Sequence, residues 1–284
     1  MFSGFMTNAW IVGSIAAVVA GVVGFFVVAR GSAFVAHALP QSAFTGAAAA
    51  SLLGINAVFG MGAFALASAC GIAWLGKRGR HDVVTALALV LLLGTGELFL
   101  SYKTEYAQAI YSLLFGEVLG VSTNEILPSA IVAAAAVLAV AVMYRRLMLT
   151  SVLPEIGEAR GVRSYRMEML FLVIVALATT AAVPVVGALL MFSLMVGPPA
   201  ASRCFTDNPP AAIAVSVALA LLTVWASLAI AYERNWPVGF LVGTIGAVWY
   251  VAGRAWAARR QSRSVRPGPV GPHVGSAPVP VAGS

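Results

Sequence analysis

Apolar residues in this chain run in blocks, and charged residues collect in the short gaps between them. The blocks cover about residues 10–29, 33–54, 57–76, 83–101, 126–144, 169–183, 187–202, 211–231 and 237–253. A helix of roughly 20 apolar residues crosses a hydrocarbon core of about 30 Å. The pattern therefore predicts an all-α bundle of eight or nine membrane spans.

Two stretches need more than a count. From Met169 to Ser202 the chain runs 34 residues without a charge. One straight helix of that length would extend roughly 50 Å, well past the hydrocarbon core. Proline removes a backbone donor and disfavours helix in the residue before it. Pro184 and Gly187 thus predict a tight turn near 183–187 and a short helical hairpin over about 169–202, closed by Gly197, Pro198 and Pro199 just before Arg203. Counted as one kinked element, the hairpin leaves eight spans; counted as two arms, it makes nine. The other stretch, about 105–121, is moderately apolar and contains Glu117. The topology below leaves no room for a crossing there, so a non-spanning helix is expected, packed at the outer side or re-entrant within protein.

Composition points the same way. The chain is 61% hydrophobic and only 10% charged, against about 25% charged in a soluble domain. Because the apolar blocks are spread along it, a soluble enzyme with one anchor is excluded. One transmembrane domain is expected over 1–256. The remaining 257–284, basic at its start and rich in Pro and Gly, is expected to be a disordered cytoplasmic tail with Arg259, Arg260, Arg263 and Arg266 near anionic lipid. No basic residue precedes Arg30, so the opening block is expected to stay as the first span rather than be removed as a signal peptide. Cys70 and Cys204 are the only cysteines. Both are expected toward the cytoplasm, where disulfides are rare, and read as packing residues.

A net charge of +7 would raise nucleic acid as a partner in a soluble protein, but here the charges fall on alternate loops. Placing those loops inside puts 15 of the 17 Lys and Arg on one side and leaves Lys103 and Arg234 outside. The expectation is a multi-pass plasma-membrane protein with its N-terminus outside, its C-terminus in the cytoplasm and no nucleic-acid partner. Trp10 and Trp236 fall at outer boundaries and Trp74 and Trp256 at inner ones, as interfacial aromatics do.

Signatures for nucleotide hydrolysis, serine hydrolysis and zinc-protease chemistry do not occur: there is no GxxxxGK[ST], GxSxG or HExxH. The prior moves from enzyme toward transporter. Residues 185–203, VVGALLMFSLMVGPPAASR, resemble the segment VGxLLxxxLLxxPAAxA of metal-ion ABC transporter permeases. The likeness extends over nearly all of 10–253. Residues 30–46 (RGSAFVAHALPQSAFTG), 114–121 (LFGEVLGV) and 154–162 (PEIGEARGV) follow in the family's order. This resemblance implies the membrane subunit of an importer for zinc, manganese or iron. It would work by alternating access as a homodimer, with two cytoplasmic ATPase subunits and an extracytoplasmic metal-binding protein. ATP would be bound and hydrolysed by the partner, and the metal would be cargo rather than a resident cofactor.

The connection from Arg145 to Glu168 carries five arginines and three glutamates. The resemblance gives Glu155, Glu158, Ala159, Arg160 and Gly161 the place of the coupling helix that docks into the ATPase. A solvated loop with internal ion pairs is the plainer alternative. The family's second span offers a GDALSHA-like stretch, with Asp and His one turn apart. Here His37 stands where the aspartate is expected and Gln41 where the histidine is expected. Positions i and i+4 share one helix face, so both can meet one cation, but the pair has lost its anionic ligand. The His37 imidazole can still offer a neutral nitrogen to zinc, manganese or iron, while the Gln41 amide oxygen is a weak ligand. Two readings stand for both residues: pathway lining, or structural hydrogen bonding. Glu97, in the Gly94 to Glu97 interruption of the fourth block, would restore the missing carboxylate; alternatively it pairs with Lys103 or Arg234 at the outer interface. Met191 and Met195 read as packing residues. The altered pair also motivates a second transport reading, a same-family permease for another cargo, and a different class altogether is a non-transporting scaffold or receptor.

Overall fold

A computed structural model describes residues 4–76, 81–102, 114, 123–152 and 164–264. Among these residues every regular element is a helix. They are α1 (Gly4–Ala29), α2 (Ala33–Leu53), α3 (Ala57–Leu75), α4 (His81–Ser101), α5 (Thr123–Val152), α6 (Ser164–Val186), α7 (Ala188–Phe205), α8 (Pro209–Arg234) and α9 (Val238–Ser264). Each of the nine apolar blocks has become one helix. Eight of them are long and apolar enough to cross a membrane. The exception is α2, whose 21 residues include His37, Pro40, Gln41, Ser42 and Thr45.

The weak hydropathy of α2 matches its position. Its residues from Ala38 to Ala48 are buried without a break, and it is packed by α3 and α4, and by α6 and α7. A helix shielded from lipid by protein can carry polar side chains that a lipid-facing one cannot. Around it, α1 and α6 form the rest of the interior. By contrast, α4, α5 and α9 show apolar faces outward, among them Leu87, Val90, Leu91, Leu138, Val142 and Val251. Those are surfaces suited to acyl chains.

Several helices outrun the blocks that predict them. Helix α5 continues to Val152 and α6 starts at Ser164, taking Arg145, Arg146 and Arg166 into helix. Backbone hydrogen bonding continues past the hydrocarbon edge, where charged side chains are solvated. Likewise α9 reaches Ser264, so 257–264 continue the last helix instead of opening the tail. Residues 265–284, with Arg266, lie outside the described residues. So do the expected non-spanning helix at 105–121, residue 114 apart, and the whole of 153–163.

The turn within 169–202 is a single residue. Pro184 is accommodated in the last turn of α6, and the break falls at Gly187, with φ +83°. That conformation is open to glycine and strained for other residues. Gly187 N–H donates to Val183 O at 2.8 Å, and Met191 N–H donates to Gly187 O at 3.1 Å, so the two helices share the residue. The arms, 23 and 18 residues long, then diverge: α6 packs on α3 and α5, while α7 packs on α9, α1 and α8. Pro198 and Pro199 do not close the second arm but lie inside α7, which runs on to Phe205. Pro199 has no N–H for Met195 O. That carbonyl lies against Gly24 of α1, where a Cβ would stand only 2.3 Å from it. The freed acceptor is thereby covered by a Cα–H rather than left against lipid.

Candidate functional site

Most polar side chains inside the bundle are satisfied locally. The hydroxyls of Ser42, Thr179, Thr180, Ser202, Thr223 and Ser227 each donate to a carbonyl three or four residues earlier. Ser216 donates across the helix interface to Gly21 O at 2.8 Å. These groups are hidden in the backbone's own hydrogen bonding and mark no site.

Two neighbours on α2 differ. The Nδ1 atom of His37 and the Oε1 atom of Gln41 are buried, and neither has a hydrogen-bond partner among the described residues. Gln41 is 3% exposed. The remaining such atoms are Ser129 Oγ and the indole nitrogens of Trp10 and Trp249. Leaving a buried polar group unpaired costs about 1–3 kcal/mol, so two of them one turn apart call for an explanation. A neutral imidazole nitrogen and an amide oxygen both carry lone pairs that a cation, or a polar cargo, would engage. Pro40 between them removes one donor from the α2 backbone and keeps this turn of the helix polar.

The His37 ring is held from a helix far along the chain. Phe192 of α7 meets it edge to face, with centroids 4.9 Å apart and planes at 69°. Nothing in the apolar run around Phe192 singled it out, since its role depends on α7 crossing α2. Met191 and Met195 on the same helix are fully buried in the core.

Glu97 stands apart from this pair. Gly96 sits tightly against Phe44 and Thr45 of α2, and Thr45 Oγ1 reaches Leu92 O of α4, which fixes α4 alongside α2. The next residue, Glu97, turns to an exposed position. No ion pair joins it to Arg234 among the described residues, and Lys103 lies outside them. Nor do three or more His, Cys, Asp or Glu side chains gather into a metal-binding group among the described residues. Glu117, and the coupling candidates Glu155, Glu158, Ala159, Arg160 and Gly161, also lie outside the described residues.

The sequence model of the ABC 3 transport family matches residues 3–256. The chain belongs to the ABC 3 transport family. Among curated proteins, the chain is similar to MntC, the manganese transport system membrane protein of Listeria innocua, 25% identical over 254 residues and covering 88% of this chain and 90% of that protein. ZnuB, the high-affinity zinc uptake system membrane protein of Haemophilus influenzae, is 22% identical over 218 residues, covering 76% of this chain and 84% of that one. Among solved structures, PsaBC from Streptococcus pneumoniae in complex with Fab matches with a TM-score of 0.80 at 22% identity, over 88% of this chain and 91% of that chain. An ABC 3 member with eight helices of span length and apolarity is a multi-pass membrane protein. The family expected from residues 185–203 is the family found.

Proposed function

We propose that this chain is the permease subunit of an ATP-driven importer that carries a divalent metal ion into the cytoplasm by alternating access. The observation that carries the reading is the pair of unpartnered buried atoms, His37 Nδ1 and Gln41 Oε1, on the most enclosed helix of the bundle. Relatives named for manganese and zinc transport support the cargo class. The pair supplies only two neutral donors, fewer than the four ligands a zinc ion takes. A homodimer of permeases is the assembly that the family resemblance implies. The distribution of Lys and Arg supports an outer N-terminus and a cytoplasmic C-terminus. Two ATPase subunits would bind and hydrolyse ATP, docking at Glu155 to Gly161, and an extracytoplasmic protein would deliver the metal.

The test is uptake of radiolabelled zinc, manganese and iron by proteoliposomes holding the permease, the ATPase and the metal-binding protein. ATP-dependent accumulation is expected; none for any of these metals would overturn the reading. Glu158→Ala with Arg160→Ala is expected to reduce ATPase capture in a pull-down at least about tenfold, as loss of a central interface pair does, while the permease stays inserted. Undiminished capture would remove the coupling assignment.

A second reading rests on the missing carboxylate: a cargo that brings its own ligands, such as a chelated metal. In that case uptake would rise when a chelator accompanies the metal.

A further inference from the structure

Arg30 is the only basic residue in the connection between α1 and α2, and it is tied to the helices on either side of residues 153–163. Its Nε donates to Ser151 Oγ at 3.1 Å and its Nη2 donates to Thr150 Oγ1, both in the last turn of α5. Those hydroxyls pass their own protons back to the helix: Ser151 donates to Leu147 O, and Thr150 to Arg146 O at 3.0 Å. Each thus keeps lone pairs for the guanidinium, and the cation is linked through them to the carbonyl end of α5, where the helix dipole favours positive charge. On its other side the guanidinium lies over the Phe171 ring of α6, 4.7 Å from the centroid. Burial lowers its pKa from the usual arginine value, and the nearby Glu168 carboxylate of α6 opposes that shift.

The backbone around Arg30 has little slack. Arg30 N–H donates to Phe26 O and Ser32 N–H to Val27 O, both at 3.0 Å, and Gly31 takes the left-handed conformation that closes the helix end. The carbonyl of Ser32 then accepts from Val35 and Ala36 at 3.1 and 3.3 Å, which starts α2 at once. His37 follows one residue later. The same end of α5 borders a cleft of about 390 Å³ lined by Ala29, Ser151, Val152, Arg203 and Asp207. It has room to shift.

We propose that Arg30 is a positioning residue: it clasps the adjoining ends of α5 and α6 to the base of α2, so that a displacement of those ends is delivered to His37 and Gln41. The transport consequence rests on the permease reading; the clasp itself does not.

The test uses Arg30→Gln, which removes the charge and the fork, and Thr150→Val with Ser151→Ala, which leaves Arg30 and removes its acceptors. In the assembled transporter, both are expected to keep basal ATP hydrolysis within about twofold while metal taken up per ATP hydrolysed falls at least about fivefold, within the range of coupling losses away from ligands. A role in stability alone would lower uptake and hydrolysis together and leave their ratio unchanged. Independently of any cargo, amide hydrogen exchange over 33–41 in the isolated permease is expected to quicken at least about fivefold in both variants, as local opening becomes easier. Unchanged exchange in the acceptor variant would overturn the clasp. Quickened exchange with an unchanged uptake ratio would overturn its part in coupling. If the wild-type complex moves no metal, the permease reading fails and the exchange arm still decides the clasp.

Discussion

His37→Ala is expected to lower ATP-driven metal uptake at least about tenfold, since even the outer partners of a metal ligand change affinity by 10- to 100-fold. The change in stability should be small by comparison. Truncation loses the ring contact with Phe192, a term of about 0.5–1.5 kcal/mol, together with some packing. It also removes the unpartnered Nδ1, whose burial costs about 1–3 kcal/mol, and the two effects oppose each other. Gln41→Leu sharpens the test. Leucine has a similar size and no polar atom to leave unpaired, so the melting temperature should hold or rise while uptake falls. Normal uptake per folded molecule in both variants would make the pair structural. His37→Asp carries a further expectation: restoring a carboxylate should favour manganese over zinc relative to the wild type, because manganese prefers oxygen ligands. Competition between the two radiolabelled metals would measure it.

Gly46→Val is expected to abolish assembly of the bundle. At this crossing of α2 and α3, a Cβ on Gly46 would stand 2.2 Å from Gly60 O, and a Cβ on Gly60 would stand 2.3 Å from Gly46 O. Both obstacles are backbone, so no rotamer change relieves them, and the helices must separate. The cost should exceed the roughly 1–3 kcal/mol typical of overpacking against side chains. Even Gly46→Ala should lower the yield of folded protein on size-exclusion chromatography. Gly94→Ala is the control, because nothing lies within 4 Å of the added Cβ. It should be neutral, within about 0.5 kcal/mol. Normal folding of Gly46→Val would show that α2 and α3 do not approach so closely.

These expectations draw unequally on what the chain discloses by itself. The nine helices of the described residues were readable because an apolar block of span length has few alternatives in a membrane, and α2 was found over 33–53 where 33–54 is expected. His37 and Gln41 were readable as polar residues in an apolar neighbourhood. Local patterns say nothing of partners at a distance. Phe192 looks like one more apolar residue until α7 is laid across α2, and Arg30 looks like a loop charge until the ends of α5 and α6 surround it. The turn in 169–202 illustrates a competition between two local signals. Pro184 lacks only one donor and fits the last turn of a helix, whereas the positive φ at Gly187 sets the chain's new direction. The prolines of α7 end no helix, because Gly24 lets α1 close over the carbonyl that Pro199 leaves free.

The enclosure of α2 also bears on how the protein is made. It leaves the ribosome after α1 and ahead of the α3, α4, α6 and α7 segments that later surround it, and it alone among the nine described helices lacks the apolarity of a self-sufficient span. A bilayer by itself retains such a segment weakly. During synthesis α2 must therefore be sheltered by the insertion machinery or wait at the membrane surface until α3 arrives with Gly60. The polar face becomes a finished site only when the last third of the chain has brought Phe192 into place. A nascent chain halted before α7 would hold α2 without its site.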